Sequence, residues 1–253
     1  MPVTAKTFPI PQRFRLSEFA TTRFDYRPGN HLTILAPTDW GKTYTANILL
    51  DAVARPKLPA LIFVPKPRDS TAVEAGKRLG MRRVQRWPLA PRLWRPPERG
   101  WMLWPRHTFD IDADERAMYY IFRDALQDTY KRGNRIAFVD EPLGLMDLDP
   151  PERWDHNLVR YLLQLWRRGR SMGAGLWTAS QRPVDIPYDA YSQAEHLFIG
   201  YDPDKRARDR YAEIGGVDPD MVKYVTARLQ HREWLYIRRR GQRVAILTPD
   251  PPA

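Results

Sequence analysis

A short apolar run, His31–Ala36, stops at Pro37 and a polar turn, reaches Gly41-Lys42-Thr43, and continues as an amphipathic stretch. This order constrains the fold more than any other feature of the chain. A buried strand must turn sharply into a helix, and the helix must pack back against the sheet to hide its apolar stripe. That stripe is Ala46, Leu49, Leu50 and Val53 within a helix spanning roughly Lys42–Val53. Leu58–Val64 follows as a second run without the alternation of a half-exposed strand. Near-continuous apolar strands joined by helices predict an α/β fold, with a mainly parallel sheet covered on both faces.

The same grammar recurs downstream. Ile111–Arg132 reads as a helix, with Asp112 as N-cap, acids in its first turn, and Lys131 and Arg132 in its last turn before Gly133. Arg135–Val139 is a third buried strand, Trp154–Arg168 a further helix, and Gly175–Ala179 a fourth strand. Alternation in Trp234–Ile237 and Val244–Leu247 around Arg240-Gly241 predicts a C-terminal antiparallel hairpin over residues 228–248. Residues 1–27 are interrupted by prolines and read as an arm lying on the domain. No repeat or low-complexity linker divides the chain, so residues 1–253 read as one domain.

The turn Ala36-Pro-Thr-Asp-Trp-Gly-Lys-Thr43 fits the phosphate-loop pattern G-x-x-x-x-G-K-[ST], with Ala36 in place of the first glycine. In such a loop successive backbone N–H groups and a helix N-terminus enclose phosphate oxygens. Pro37, Thr38, Asp39, Trp40, Gly41, Lys42, Thr43 and Tyr44 are therefore the candidate nucleotide contacts. Lys42 is placed to reach the β- and γ-phosphates, and the Thr43 hydroxyl to ligate Mg²⁺ beside ATP. Trp40 is unusual here, and a base or a neighbouring subunit are alternative stacking partners for it.

The third strand ends in Asp140-Glu141. This puts Asp140 near the metal and Glu141 where a water can be polarised for in-line attack. Farther on, Arg170-Ser-Met-Gly leads into the fourth strand and then Ser180-Gln181-Arg182-Pro183. Gln181 falls at the C-terminal end of a parallel strand, where ligands bind, and its amide can bond both a γ-phosphate and an attacking water.

These motifs together resemble the FtsK/HerA superfamily of ring-forming DNA-translocating P-loop ATPases, and in size the viral genome-packaging ATPases among them. The resemblance rests on the phosphate loop, Asp140-Glu141, and Arg170 through Thr178-Ala-Ser180-Gln181-Arg182-Pro183, with Ser180 where the family usually has Thr. Val64-Pro65-Lys66 stands where the family commonly ends its second strand in Asp-Pro-Lys. The resemblance implies a RecA/ASCE-like P-loop NTPase fold, ATP and Mg²⁺ as cofactors, and catalytic roles for Lys42, Glu141 and Gln181. It gives Thr43 and Asp140 the metal, and it implies an arginine finger acting across a subunit boundary, for which Arg170 is chosen over Arg168 and Arg167. The expected activity is ATP hydrolysis coupled to moving double-stranded DNA through a homo-oligomeric ring, a hexamer or pentamer, in genome packaging or a related transfer step. A portal, capsid or other recruiting protein is an expected partner. Two alternatives remain: a zonula occludens toxin-like phage assembly ATPase, and an ATP-binding adaptor with weak hydrolysis.

Charge agrees with a polyanionic partner. The chain carries +11, and thirty-three of its forty-one cations are arginine, whose planar fork suits phosphate. Arg78–Arg106 holds eight arginines and one glutamate, a net of +7, with Trp87, Trp94, Trp101 and Trp104 interleaved. It reads as a loop-rich insertion in which Arg82, Arg83, Arg86, Arg92 and Arg95 are candidate DNA contacts and the tryptophans pack the insertion down. Arg238, Arg239 and Arg240 form a second candidate surface. The absence of cysteine removes disulfides, thiolate metal sites and a cysteine nucleophile. No run approaches the ~18 apolar residues of a membrane span, so no direct membrane insertion is expected and the cytoplasm, or a virion, is the expected location. Gly169-Arg-Ser171-Met-Gly173 matches a hydrolase elbow, but its predicted helix-then-strand context is the reverse of what that motif requires.

Overall fold

The computed structural model describes residues 8–89 and 98–251. Ten strands form one sheet: β1 (Arg13–Arg15), β2 (His31–Leu35), β3 (Ala60–Phe63), β4 (Arg82–Val84), β5 (Gly100–Leu103), β6 (Arg135–Asp140), β7 (Ala174–Ser180), β8 (Ala194–Ile199), β9 (Trp234–Arg238) and β10 (Arg243–Thr248). Their order across the sheet is β1-β10-β9-β8-β2-β7-β6-β3-β5-β4. Every described pairing is parallel except the two made by β9. The sheet is thus mainly parallel and carries the expected antiparallel hairpin at β9 and β10.

Helices cover both faces, because the strands bury alternate residues on either side. One core holds Leu61, Phe63, Ala137 and Val139 beneath α4 (Ile111–Arg132), α6 (Leu158–Arg168), α8 (Lys205–Ile214) and α9 (Pro219–Thr226). The other holds Leu32, Ile34, Ile62 and Phe138 beneath α1 (Leu16–Thr22), α2 (Lys42–Val53) and α3 (Ser70–Arg78). Two short helices, α5 (Pro142–Met146) and α7 (Asp189–Ser192), complete the first face.

The bounds of α2 and α4 match the sequence reading, and other elements differ for local reasons. Helix α4 is capped by Asp110, which accepts from Ala113 N at 2.8 Å, so Asp112 sits in the first turn. Helix α6 starts at Leu158 and not at Trp154, because Asn157 caps it by accepting from Val159 N at 2.8 Å. Within the expected arm, residues 13–22 form an edge strand paired in parallel with β10 and a helix that buries Leu16, Phe19 and Ala20. The Arg/Trp segment contributes two sheet strands, β4 and β5, and Trp87, Trp101 and Trp104 are buried. Arg92, Trp94 and Arg95 lie outside the described residues. Among the described residues no helix is long and apolar enough to cross a membrane.

Two histidines sit inside this sheet. His31 Nδ1 accepts from Leu176 N at 2.9 Å, and burial, aided by the charge of Arg170, pushes its pKa down to about 4. His196 lies between Asn30 and Tyr236, at 3.3 and 2.9 Å, and burial pushes it down to about 3, with Arg238 adding to the effect. Both are neutral when folded, whereas the unfolded chain protonates them near pH 6.5. The stability they permit is complete above that pH and is lost as the pH falls toward the folded values, by roughly 3 kcal/mol for His31 and roughly 5 kcal/mol for His196. Urea denaturation at pH 7 and pH 4.5 should show this loss, and a His31→Gln/His196→Gln variant should show a flatter dependence. Equal pH dependence in the two proteins would refute it.

Candidate functional site

The site forms where β2, β7 and β6 end side by side. Strand β2 runs into the loop 36–41, in which Gly41 takes φ +91 and Asp39 φ +61. Gly41 is the N-cap of α2, a left-handed position that suits glycine. Lys42 folds back over this loop, its Nζ donating to Ala36 O and Pro37 O at 3.0 Å each. Thr43 Oγ1 donates to Asp140 Oδ2 at 2.6 Å, which joins the start of α2 to the end of β6.

Strand β7 lies between β2 and β6, so the residues after it emerge between the loop and the acids. Glu141 Oε1 accepts from Gln181 N at 3.0 Å and Oε2 from Ser180 Oγ at 3.2 Å. Its Oε1 lies 3.9 Å from Lys42 Nζ. Glu141 also holds φ +54, an uncommon backbone state for a residue with a side chain, and caps α5. Thr38 Oγ1 donates to Gln181 Oε1, which orients the glutamine amide toward the loop.

Burial sets the electrostatics. It pushes the carboxyls of Asp140 and Glu141 up, against the stabilising pull of the Lys42 charge on both. It pushes the Lys42 ammonium down, against the pull of Glu141 and Asp140. These groups are held in a partly desolvated cleft of about 430 Å³, where charge interactions are stronger than in water.

Of the sequence candidates, Thr38, Asp39, Gly41, Lys42, Thr43, Tyr44, Asp140, Glu141 and Gln181 line one cleft. Trp40 does not face it. Its ring is buried against Tyr201 and His231, and its Nε1 donates to Glu233 O at 2.9 Å, so it stacks on the fold itself, which corrects the expectation of an external stacking partner. Arg170 lies before β7, at the opposite edge of the sheet from Gln181. Arg167 is paired with Asp189 at 2.9 Å. Arg238 pairs with Asp25 and Glu195, and Arg239 donates to Tyr191 O, so this second candidate surface is largely engaged in holding the fold. Arg82, Arg83 and Arg86 are exposed, with the Arg83 guanidinium 4.2 Å from the Trp104 ring centre. The Ser171 elbow has a helix before it and a strand after it. Asp110 and Asp114 accept from backbone N–H groups at the head of α4.

The sequence reading assigned no role to three residues of the cleft wall: Lys66, Thr71 and Arg232. Lys66 carried a signal, since it lies three residues past the end of β3. Arg232 carried none, because a turn 190 residues beyond Lys42 in sequence comes to the loop only through the strand order.

No protein-family model matches the chain, and no curated protein sequence matches it. Solved structures do match in fold. The genome packaging NTPase B204 from Sulfolobus turreted icosahedral virus 2, solved with AMPPCP, has a TM-score of 0.60 at 14% identity, covering 88% of this chain and 100% of that one. VirB4 of Thermoanaerobacter pseudethanolicus has a TM-score of 0.60 at 14% identity, covering 88% and 90%. The fold is that of a P-loop ATPase. The pCW3 conjugation coupling protein TcpA has a TM-score of 0.51 at 17% identity, over 86% of this chain and 59% of that one. In fold these neighbours agree with the P-loop NTPase architecture that the motif resemblance implies.

The P-loop packs tightly from below. A Cβ on Gly200 would lie 2.6 Å from Trp40 Nε1 and 2.8 Å from Ala36 Cβ. Gly200→Ala should therefore push on the loop and destabilise the protein by roughly 1–3 kcal/mol. An unchanged urea midpoint would refute that contact.

Proposed function

We propose that this chain is an ATP-hydrolysing motor that moves double-stranded DNA through a homo-oligomeric ring, in genome packaging or a related DNA transfer. The observation that carries the reading is the position of Gln181. It emerges between the phosphate loop and Glu141, bonded through its backbone to the acid and through its side chain to Thr38. A group so placed can register whether a terminal phosphate is present and pass that difference to the acid.

In this reading Lys42 exchanges the carbonyls of Ala36 and Pro37 for phosphate oxygens. Thr43 and Asp140 offer two hard oxygen donors 2.6 Å apart, which fit Mg²⁺; when bound, the ion supplies charge neutralisation on the terminal phosphates. Glu141, fixed by Ser180 and Gln181, orients the attacking water and takes its proton. Its raised pKa suits a base working near neutrality. Arg170 is exposed, and β7 spans about 20 Å between it and Gln181. That distance favours action on the next subunit of a ring, not on its own site. The printed names of the neighbours concern genome packaging and conjugation; together with the exposed Arg82 and Arg86 they support DNA as the cargo. A portal or capsid protein as recruiting partner, and work in the cytoplasm, follow from the packaging role.

Glu141→Gln should reduce ATP turnover by at least a hundredfold while ATP binding persists, because a glutamine oxygen still accepts from one of the two donors. Hydrolysis at the wild-type rate would remove Glu141 as the base. In the same assay duplex DNA should stimulate the wild-type rate, and the stimulation should fall steeply with salt. Arg82→Ala/Arg86→Ala should weaken DNA binding for all sequences alike and lower the salt slope by about one per lost phosphate contact. An unchanged slope would move the DNA surface elsewhere. ATP hydrolysis indifferent to DNA would favour the adaptor or assembly alternatives.

A further inference from the structure

Arg232 sits in the turn 230–233 that leads into β9, with φ +64. An L side chain rarely adopts this left-handed state, and such strain persists only where the surroundings enforce it. Here they do. Glu233 N donates to Gln230 O at 3.0 Å, and Gln230 N donates to Glu233 Oε2 at 2.9 Å, which closes the turn. Glu233, 3% exposed, is also paired with Arg13 of β1.

The turn is fastened to the phosphate loop itself. Trp40 Nε1 donates to Glu233 O at 2.9 Å, and the neighbouring His231 ring meets Trp40 edge-on at 5.3 Å. The residue that departs most from an ordinary phosphate loop is thus the one that ties the loop to the end of the chain. In consequence Arg232 lines the same cleft as Asp39, Lys42 and Thr43, and among the described residues its guanidinium makes no ion pair or hydrogen bond.

The strand order gives this arginine a side. Gln181 and Glu141 follow β7 and β6 on one flank of β2, while Arg232 precedes β9 on the other. The groups suited to the terminal phosphate and the attacking water are therefore across the loop from Arg232. We propose that Arg232 binds the α-phosphate end of the nucleotide within its own subunit, and that the Trp40–Glu233 bond is the tether that positions it. The inference rests on the nucleotide-binding reading above and adds to it a second cation, one that does not distinguish ATP from ADP.

The test is calorimetric titration of the full chain with ADP and with AMPPCP. Arg232→Ala should weaken both by about tenfold, since a charge-assisted bond to phosphate is lost equally from each. Arg232→Lys should recover part of the loss. Arg232→Gly should weaken both to the same extent while raising the melting temperature by a few degrees, because glycine relieves the positive φ. Trp40→Phe, which keeps an aromatic ring and removes the Nε1 donor, should weaken both by a smaller factor. Unchanged affinities in Arg232→Ala would overturn the proposal, as would a loss confined to AMPPCP. A lower melting temperature in Arg232→Gly would make the arginine a structural residue, and unchanged affinities in Trp40→Phe would overturn the tether. Lys42→Ala separates the two readings: if it abolishes binding and Arg232→Ala does not, this inference fails alone, whereas a wild-type chain that binds neither nucleotide overturns both.

Discussion

The insertion of β7 between β2 and β6 is the constraint on which the site depends. Parallel strands in register end at a common edge, so three consecutive strands of the sheet deliver a loop, a glutamine and two acids to one place. If β2 and β6 were neighbours, Thr43 would still find Asp140, but no β7 residue would emerge between the loop and Glu141. The hydrogen bonds from Ser180 and Gln181 to Glu141 exist because β6 and β7 pair residue by residue up to Asp140 and Ala179. The geometry of the cleft is a by-product of sheet register, which rigid packing on both faces keeps from slipping.

The parts of this arrangement that local physics determines were legible from residues alone. Helices α2 and α4 announce themselves through apolar spacing and charged ends, and β2, β3, β6 and β7 through short apolar runs. The site residues were legible because each sits at or just beyond a strand's C-terminal end: Asp140 closes β6, Glu141 and Gln181 follow β6 and β7 at once, and Lys42 and Thr43 open α2 after the six-residue loop from β2. What stayed hidden has weak local signals. Helix α3 buries only Ala72 and Ala75, and α8 is dominated by charge, so neither shows a strong apolar stripe. Strand β8 contains Glu195 and His196, polar residues that break an apolar run yet are buried through partners on other strands. The edge strand β1 is three residues long and is defined by its pairing with β10, far away in sequence.

Trp40 and Arg232 show the same division within the site. Trp40 looked like an intrusion into a glycine-rich motif, and only the three-dimensional arrangement reveals that its ring fills space left by Gly200 and that its nitrogen has a fixed acceptor. Tertiary contacts of this kind carry no periodicity, and a pattern tuned to short-range spacing passes over them.

Strand β4 has a consequence of a different kind. It is the outermost strand on its side of the sheet, three residues long, with Arg82 and Arg83 exposed. An open edge presents unpaired backbone groups that recruit strands from other molecules, and short, cationic edges resist this. Arg82 and Arg83, whatever else they bind, thus suit this margin as gatekeepers against edge-to-edge aggregation. Neutralising the strand would expose this edge to pairing, so the chain has a colloidal reason, independent of any cargo, to keep its charge at this margin.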